Sequence, residues 1–515
     1  LNGKADTISS EAVCRQVLRM CYNKVRERQG DACRSDVDEE VGVQRTSIGT
    51  ECQMINDKSP TAKEADALYL FLEMRIFMQN FKENELLYEK CNGKLAIRDG
   101  YFPAKGTFVH EYTHYIQNVT TTFGISILLK WIQIIFDFLD DYFDEELIAI
   151  PLIKNNPKGF TDKLQHYLGQ CDDIIGCKEQ FLFEIPNDVR QFSIYCDDNT
   201  LKRYMIMPHD KEGRFGIPLG GNVFIESMAK GAKLLLRGQD TVTKSDFGKW
   251  PIKRGQMPID VPHKTLKDLY YNALFRFIKT TFKAANPLFG TVVISDACLM
   301  AKNPGQAFEI AIDIAKGSIK DSSDPNEWIQ FREMLSEIDC FKNGTESILN
   351  ELDQKIIALE DATLPRFEYH ICEFLRLCRR AINIRRVYPA LFSQIILDDR
   401  TFQGLVEEIG CPPIMFSDSQ SFIKFYAEEW LSKAYFLFIA FYWVIFGMTY
   451  GVFSYDGKNK KWNSCLFYYG NWCSFKKGSY CKNRFPYIEP DNGKVCVMGY
   501  VAEALGMRKK RIVVK

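Results

Sequence analysis

The chain has 515 residues, 46% hydrophobic and 26% charged, enough to bury sizeable cores in two or more domains. Its 66 basic side chains balance 66 acidic ones, so no global field favours a nucleic acid or an acidic membrane, and no nucleic-acid partner is expected. Seventeen cysteines, odd in number and scattered, do not make a secreted disulfide framework; with the polar opening Leu1–Asp6 they lead to the expectation of reduced thiols in a cytoplasmic protein.

Residues 1–60 are polar, with short helical stretches at best, and Thr46–Ala62 has the composition of a linker. The chain turns apolar from Leu68 to Phe81. Glu85–Cys91 and Lys94–Arg98 flank Asn92-Gly93, a dipeptide that favours the two-residue turn of a β-hairpin. A helix is expected from an N-cap at Thr107 to about Phe123, closed by Gly124. A very apolar helix, about Ile125–Phe143, follows. Gln191–Cys196 and Arg203–Met207 have the pattern of strands, and Asn222–Arg237 that of a helix. From 240 to 430 the pattern is mainly helical. Asp324-Pro325-Asn326-Glu327 sets an N-cap, a proline at N1 and a glutamate at N3. Leu364–Tyr388 carries Phe367, Ile371, Phe374, Leu375, Cys378 and Ile382 on one side, and its arginines are expected on a solvated face. The expected fold class is therefore α+β, mainly helical.

Within the first of these helices stands His110-Glu111-Tyr112-Thr113-His114, the pattern His-Glu-x-x-His. Two histidines at i and i+4 share one helix face, so both imidazoles reach one metal ion, and the glutamate between them lies beside its open position. A catalytic zinc takes three protein ligands. A third histidine in the pattern His-x-x-Gly-x-x-His is excluded, because Gln117 and Thr120 occupy those positions. The third ligand must then be a downstream carboxylate. Glu226 is the strongest candidate: it is a lone acid in the apolar helical run Asn222–Ala229, where an unpartnered charge is costly to bury. Ser227 and Ala229 are small enough to let that helix lie close. Glu145 and Glu146, in an acidic cluster, and Glu184 are weaker rivals. Gln117, on the histidine face, can bond near the metal or cap the site's polar side.

The pentapeptide, together with Glu226-Ser227-Met228-Ala229, resembles the gluzincin branch of the zincin metallopeptidases, over roughly residues 85–240. Two departures stand out: the gap from His114 to Glu226 is long, and Lys230 replaces an aspartate that some gluzincins place there to orient a histidine. The resemblance implies a zincin-like catalytic domain at 61–240, after the polar segment 1–60 and before a helical domain at 241–430 and a C-terminal region at 431–515. It implies Zn2+ held by His110, His114 and Glu226. It further implies a protein or peptide substrate, cleaved by a zinc-activated water with Glu111 as general base. A transition-state donor could come from His263, Tyr270 or Tyr271; His209 is more at home in a turn. The helical region offers a surface for a regulatory protein partner. Two competing readings are a catalytically silent zincin-fold binding module and a membrane-attached metalloprotease; a third is a hydrolase of another amide or ester bond.

The membrane reading rests on Ala434–Phe453, twenty residues without a charge. Aromatics spread along its whole length favour a buried helix over a membrane span. Cys465, Cys473, Cys481 and Cys496 could hold a structural metal, but they lack paired Cys-x-x-Cys spacing. Arg508–Arg511 is expected to be a short solvated basic tail.

Overall fold

The computed structural model describes most of residues 67–152, parts of 159–164, the strands 192–197 and 203–208, most of 217–237, 274–361 and 367–423, residues 429–450, and short strands beyond 454. Helices dominate the described residues. Strand β1 (Leu68–Leu70), strand β2 (Arg75–Met78), the single turn α1 (Glu83–Leu86), and strands β3 (Leu87–Glu89) and β4 (Leu95–Ile97) lead into helix α2 (Pro103–Thr120) and helix α3 (Thr122–Tyr142). Then come β5 (Leu147–Ile150), β6 (Phe192–Asp197), β7 (Arg203–Pro208), β8 (Ile217–Pro218) and helix α4 (Gly221–Leu236). The helical remainder comprises α5 (Pro287–Leu299), α6 (Pro304–Ser318), α7 (Pro325–Ser336), α8 (Asp339–Glu360), α9 (Phe367–Val387), α10 (Leu391–Ile395), α11 (Asp399–Ile409) and, after β9 (Ile414–Phe416) and β10 (Phe422–Ile423), α12 (Glu429–Tyr450).

The largest sheet has the order β1-β2-β9-β10, with β2 and β9 parallel and the other neighbours antiparallel. The expected hairpin is β3–β4, in register Leu87 with Ile97 and Glu89 with Leu95; its Asn92-Gly93 turn lies outside the described residues. The strands expected at 191–196 and 203–207 are β6 and β7, paired antiparallel from Phe192–Pro208 to Asp197–Arg203. Of the basic run Arg508–Arg511 only Arg511 lies among the described residues, where it opens the strand Arg511–Val514, parallel to β5.

Helix α2 is the centre of the molecule. It packs against α3, α4, α9, β1 and β2, and apart from Pro103 at its start, His110 and His114 are its only residues that are not buried. Its boundaries differ from expectation at both ends. Pro103 has no N–H to lose and its fixed φ suits a first helical turn, so the helix begins there. Thr107 lies inside it, with its Oγ1 accepting from Lys233 Nζ at 3.1 Å rather than capping. At the far end the helix stops at Thr120. Thr121 Oγ1 donates to the Gln117 carbonyl at 2.6 Å and accepts from Gly124 N at 3.0 Å, which turns the chain straight into α3.

Gly124 does not close α2; it sits in the first turn of α3, where a Cβ would lie 2.2 Å from the Gln117 carbonyl oxygen. That neighbour is backbone and cannot swing aside. Gly124→Ala is therefore expected to destabilise the fold by about 1–3 kcal/mol, as overpacking does, measured as a lower urea midpoint at unchanged m-value.

One cluster of buried apolar side chains runs from Ala67 to Met448, across the boundaries expected at 240 and 430. In the expected amphipathic helix, α9, Ile371, Phe374, Leu375, Cys378 and Ile382 are buried. Its arginines divide. Arg376 pairs with Glu360 and Glu373, and Arg379 with Asp353, all near the surface. Arg385 breaks the expectation of a solvated face: it is buried, bonded to Asp296 and, at 3.2 Å, to Thr120 Oγ1. The start of α7 also differs in part. Asp324 accepts from Asn326 N at 2.8 Å, but the Glu327 carboxylate takes the amides of Lys320 and Asp321 instead of closing a box on its own cap.

Of the uncharged run Ala434–Phe453, the residues to Tyr450 fall in α12 and the last three lie outside the described residues; Ala434–Ala440, Val444, Ile445 and Met448 are buried and the helix packs against α9. The one described helix long and apolar enough to cross a membrane is instead α3. Lys130 and Asp137 do not interrupt it, because they fall with Gln133 and Asp140 on one less-buried stripe at helical spacing, while Trp131, Ile132, Ile135 and Phe138 are buried opposite.

Candidate metal centre

The i, i+4 spacing on α2 brings the His110 and His114 rings together, centroids 4.8 Å apart and nearly perpendicular. Opposite them lies α4, the helix expected at 222–237. Val223, Phe224, Met228 and Ala232 bury its apolar side, and the small Ser227 and Ala229 are buried as well. The two helices run antiparallel: Gln117 Nε2 donates to the Ile225 carbonyl at 2.9 Å, and Lys233 reaches Thr107 ten residues back along α2. This register sets Glu226 across from both histidines.

Three donor atoms converge. His110 Nε2 and His114 Nε2 are 3.2 Å apart, and Glu226 Oε2 lies 3.6 Å from the first and 3.5 Å from the second. A tetrahedral ion with ligands at about 2.0–2.1 Å holds neighbouring donors about 3.3–3.4 Å apart, so the triangle has the dimensions of one tetrahedral face. The donor set, two imidazole nitrogens and one carboxylate oxygen, suits zinc and leaves a fourth position open. The side chains of the three residues are 12–13% exposed, sunk in the surface but not sealed off. Among the described residues this is the one group of three or more metal-capable side chains.

The two imidazoles are not equivalent. Burial disfavours the charged ring at both. At His110 burial prevails and the pKa is lowered; at His114 the nearby Glu226 carboxylate, with help from Glu111 and Gln117, outweighs it and the pKa is raised. Gln117 Oε1 lies 3.0 Å from His114 Nδ1, on the ring edge away from the triangle.

Glu111 is buried on the adjoining face of α2, and its Oε2 accepts the backbone N–H of Tyr69 at 2.6 Å. Tyr69 stands opposite Ile76, whose own N–H goes to Pro413 on the far side of β2. Both amides thus point away from the β1–β2 interface, and the outer edge of β1 faces α2. This contact fixes one carboxylate oxygen and leaves the other unused by it. Deeper in, Tyr112 OH donates to the Gly410 carbonyl at 2.8 Å, and Tyr115 OH meets Tyr435 OH at 2.6 Å. Burial pushes these phenols well up, so they brace the helix as neutral groups.

Thus His110, His114 and Glu226 come together, with Glu111 beside them. His263, Tyr270 and Tyr271 lie outside the described residues, as do His209, Glu145, Glu146, Glu184, the segment 1–60 and the four cysteines Cys465, Cys473, Cys481 and Cys496. The Tyr69 amide carries no sequence signal, because a backbone donor is available at almost any residue. The Lys233–Thr107 tie could have been sought, since Lys233 falls two turns beyond Glu226 on the same face. Comparison with family models, with curated proteins and with solved structures found no match for the chain.

Proposed function

We propose that this protein is a zinc-dependent metallopeptidase of the gluzincin type, cleaving peptide bonds in a protein or peptide substrate. The observation that carries the reading is the triangle of His110, His114 and Glu226, set where an otherwise buried helix reaches the surface. Zinc bound by these three residues would supply a water of lowered pKa and polarise the scissile carbonyl. Glu111, held by the Tyr69 amide, takes the proton of the attacking water and passes it to the departing amine. The amide N–H therefore serves to aim the base, because a carboxylate with one oxygen tied presents the other in a fixed direction. The long gap between His114 and Glu226 costs nothing in this arrangement, since α2 and α4 meet directly.

Metal analysis of the full chain tests the proposal. About one zinc per chain is expected, and Glu226→Ala is expected to weaken its retention roughly 10-fold or more, since it removes one of three protein ligands. Cleavage of a proteome-derived peptide library should stop with a chelator and return with added zinc. A chain that takes up no zinc, or cleavage indifferent to the chelator, would overturn the reading.

A further inference from the structure

We propose that Gln117 is a positioning residue that prepares two of the three metal ligands at once, a role that rests on the zinc reading above. Gln117 is 2% exposed and stands one helical turn beyond His114. Its Nε2 donates to the Ile225 carbonyl at 2.9 Å. A carbonyl oxygen only accepts, so this bond assigns the amide: the NH2 end faces α4, and Oε1 faces His114 Nδ1 at 3.0 Å. Oε1 also only accepts, so Nδ1 must carry the hydrogen. In the neutral ring the lone pair then belongs to Nε2, the atom that faces His110 Nε2 and Glu226 Oε2. The opposite tautomer would set a lone pair against Oε1 and aim an N–H at the centre of the triangle. Gln117 thereby selects the tautomer that can bind metal.

Its second contact acts on the other helix. Ile225 is the residue before Glu226, so the bond to its carbonyl fixes the backbone next to the carboxylate ligand. One buried amide joins the ring of a ligand on α2 to the main chain beside a ligand on α4. Some gluzincins place an aspartate where Lys230 stands to orient a histidine; here an amide on the metal helix itself is placed for that task.

The test compares zinc affinity across Gln117 variants of the full chain, by competition with a chromophoric chelator at one pH, with cobalt(II) spectra as a geometric readout. Gln117→Met keeps the volume and loses both bonds; Gln117→Glu keeps an acceptor for Nδ1. Loss of a partner that orients a ligand typically weakens metal binding about 10–100-fold, and that loss is expected for Gln117→Met, with Gln117→Glu recovering only the part carried by the Nδ1 contact, since it has no donor for the Ile225 carbonyl. The cobalt(II) band of Gln117→Met should change in shape or intensity, which a variant that only loosened packing would not do. If the wild type takes up zinc and Gln117→Met matches it within about twofold, well inside the range for such partners, this inference falls while the zinc reading stands. If Gln117→Glu binds no better than Gln117→Met, tautomer selection falls. A wild type that takes up no zinc overturns both readings.

Discussion

Glu111→Gln is expected to lower turnover about 10²–10⁴-fold, the usual contribution of a general base, while leaving zinc content unchanged. The substitution is nearly isosteric, and the new amide oxygen can still accept the Tyr69 N–H that Glu111 Oε2 accepts at 2.6 Å. The other end then presents an NH2 group where a proton acceptor is required. Zinc is retained because Glu111 is no member of the triangle of His110, His114 and Glu226. Steady-state cleavage of a quenched peptide, chosen from the library products, gives the rate, and elemental analysis of the same sample gives the metal. Zinc lost together with activity would make Glu111 a ligand. Undiminished turnover would remove it as the base. A wild type that holds zinc and cleaves nothing would favour the silent binding module.

The largest effect on stability is expected at Asp296. This carboxylate is wholly buried between two buried arginines on different helices: Arg332 on α7 donates Nε to Oδ2 at 2.9 Å, and Arg385 on α9 bonds Oδ1. Arg385 also reaches Thr120, the last residue of α2. Asp296→Asn leaves two guanidinium groups in the interior with no counter-charge among these partners, and removal of one member of such a cluster costs about 3–5 kcal/mol. Urea denaturation should show the loss as a lower midpoint. Replacing Asp296, Arg332 and Arg385 together by leucine and methionines removes all three charges and should recover most of it, because a buried ion cluster often does no better than apolar packing of similar volume. A cost below about 1 kcal/mol for Asp296→Asn, no more than a surface pair would give, would mean that the arginines are balanced elsewhere.

The local parts of the structure were legible because their physics is local. Spacing alone put His110 and His114 on one helix face, and an isolated carboxylate in an apolar run singled out Glu226. The helix ends were read less well. Thr107 has the chemistry of a cap, but Pro103 upstream can start a helix at no hydrogen-bond cost, and tertiary packing filled the turn between them. Gly124 looked like a helix end, yet it is a point where two helices touch. Long-range ties were not legible at all. Nothing near Arg385 announces Asp296, and nothing near Glu111 announces the amide of Tyr69. The apolar stretches show the same limit. The uncharged run in α12 stood out by composition, yet α3, with Lys130 and Asp137 inside it, is the described helix that meets the length and hydropathy test.

The sheet beside α2 also bears on how the chain is made. Strand β2 gains its neighbour β1 within a few residues, but its other neighbour, β9, comes far later: Arg75 and Met415, in contact across that pairing, are 340 positions apart in sequence. At about 5–20 residues per second, roughly tens of seconds separate the synthesis of the two strands. Over that interval the open side of β2 offers unpaired backbone groups to any passing strand. The residues that would hold zinc leave the ribosome well before Ile414, the strand residue with which the sheet behind them closes. Nascent chains halted before Ile414 are therefore expected to be prone to strand-mediated association, and the full-length chain to fold slowly for its size.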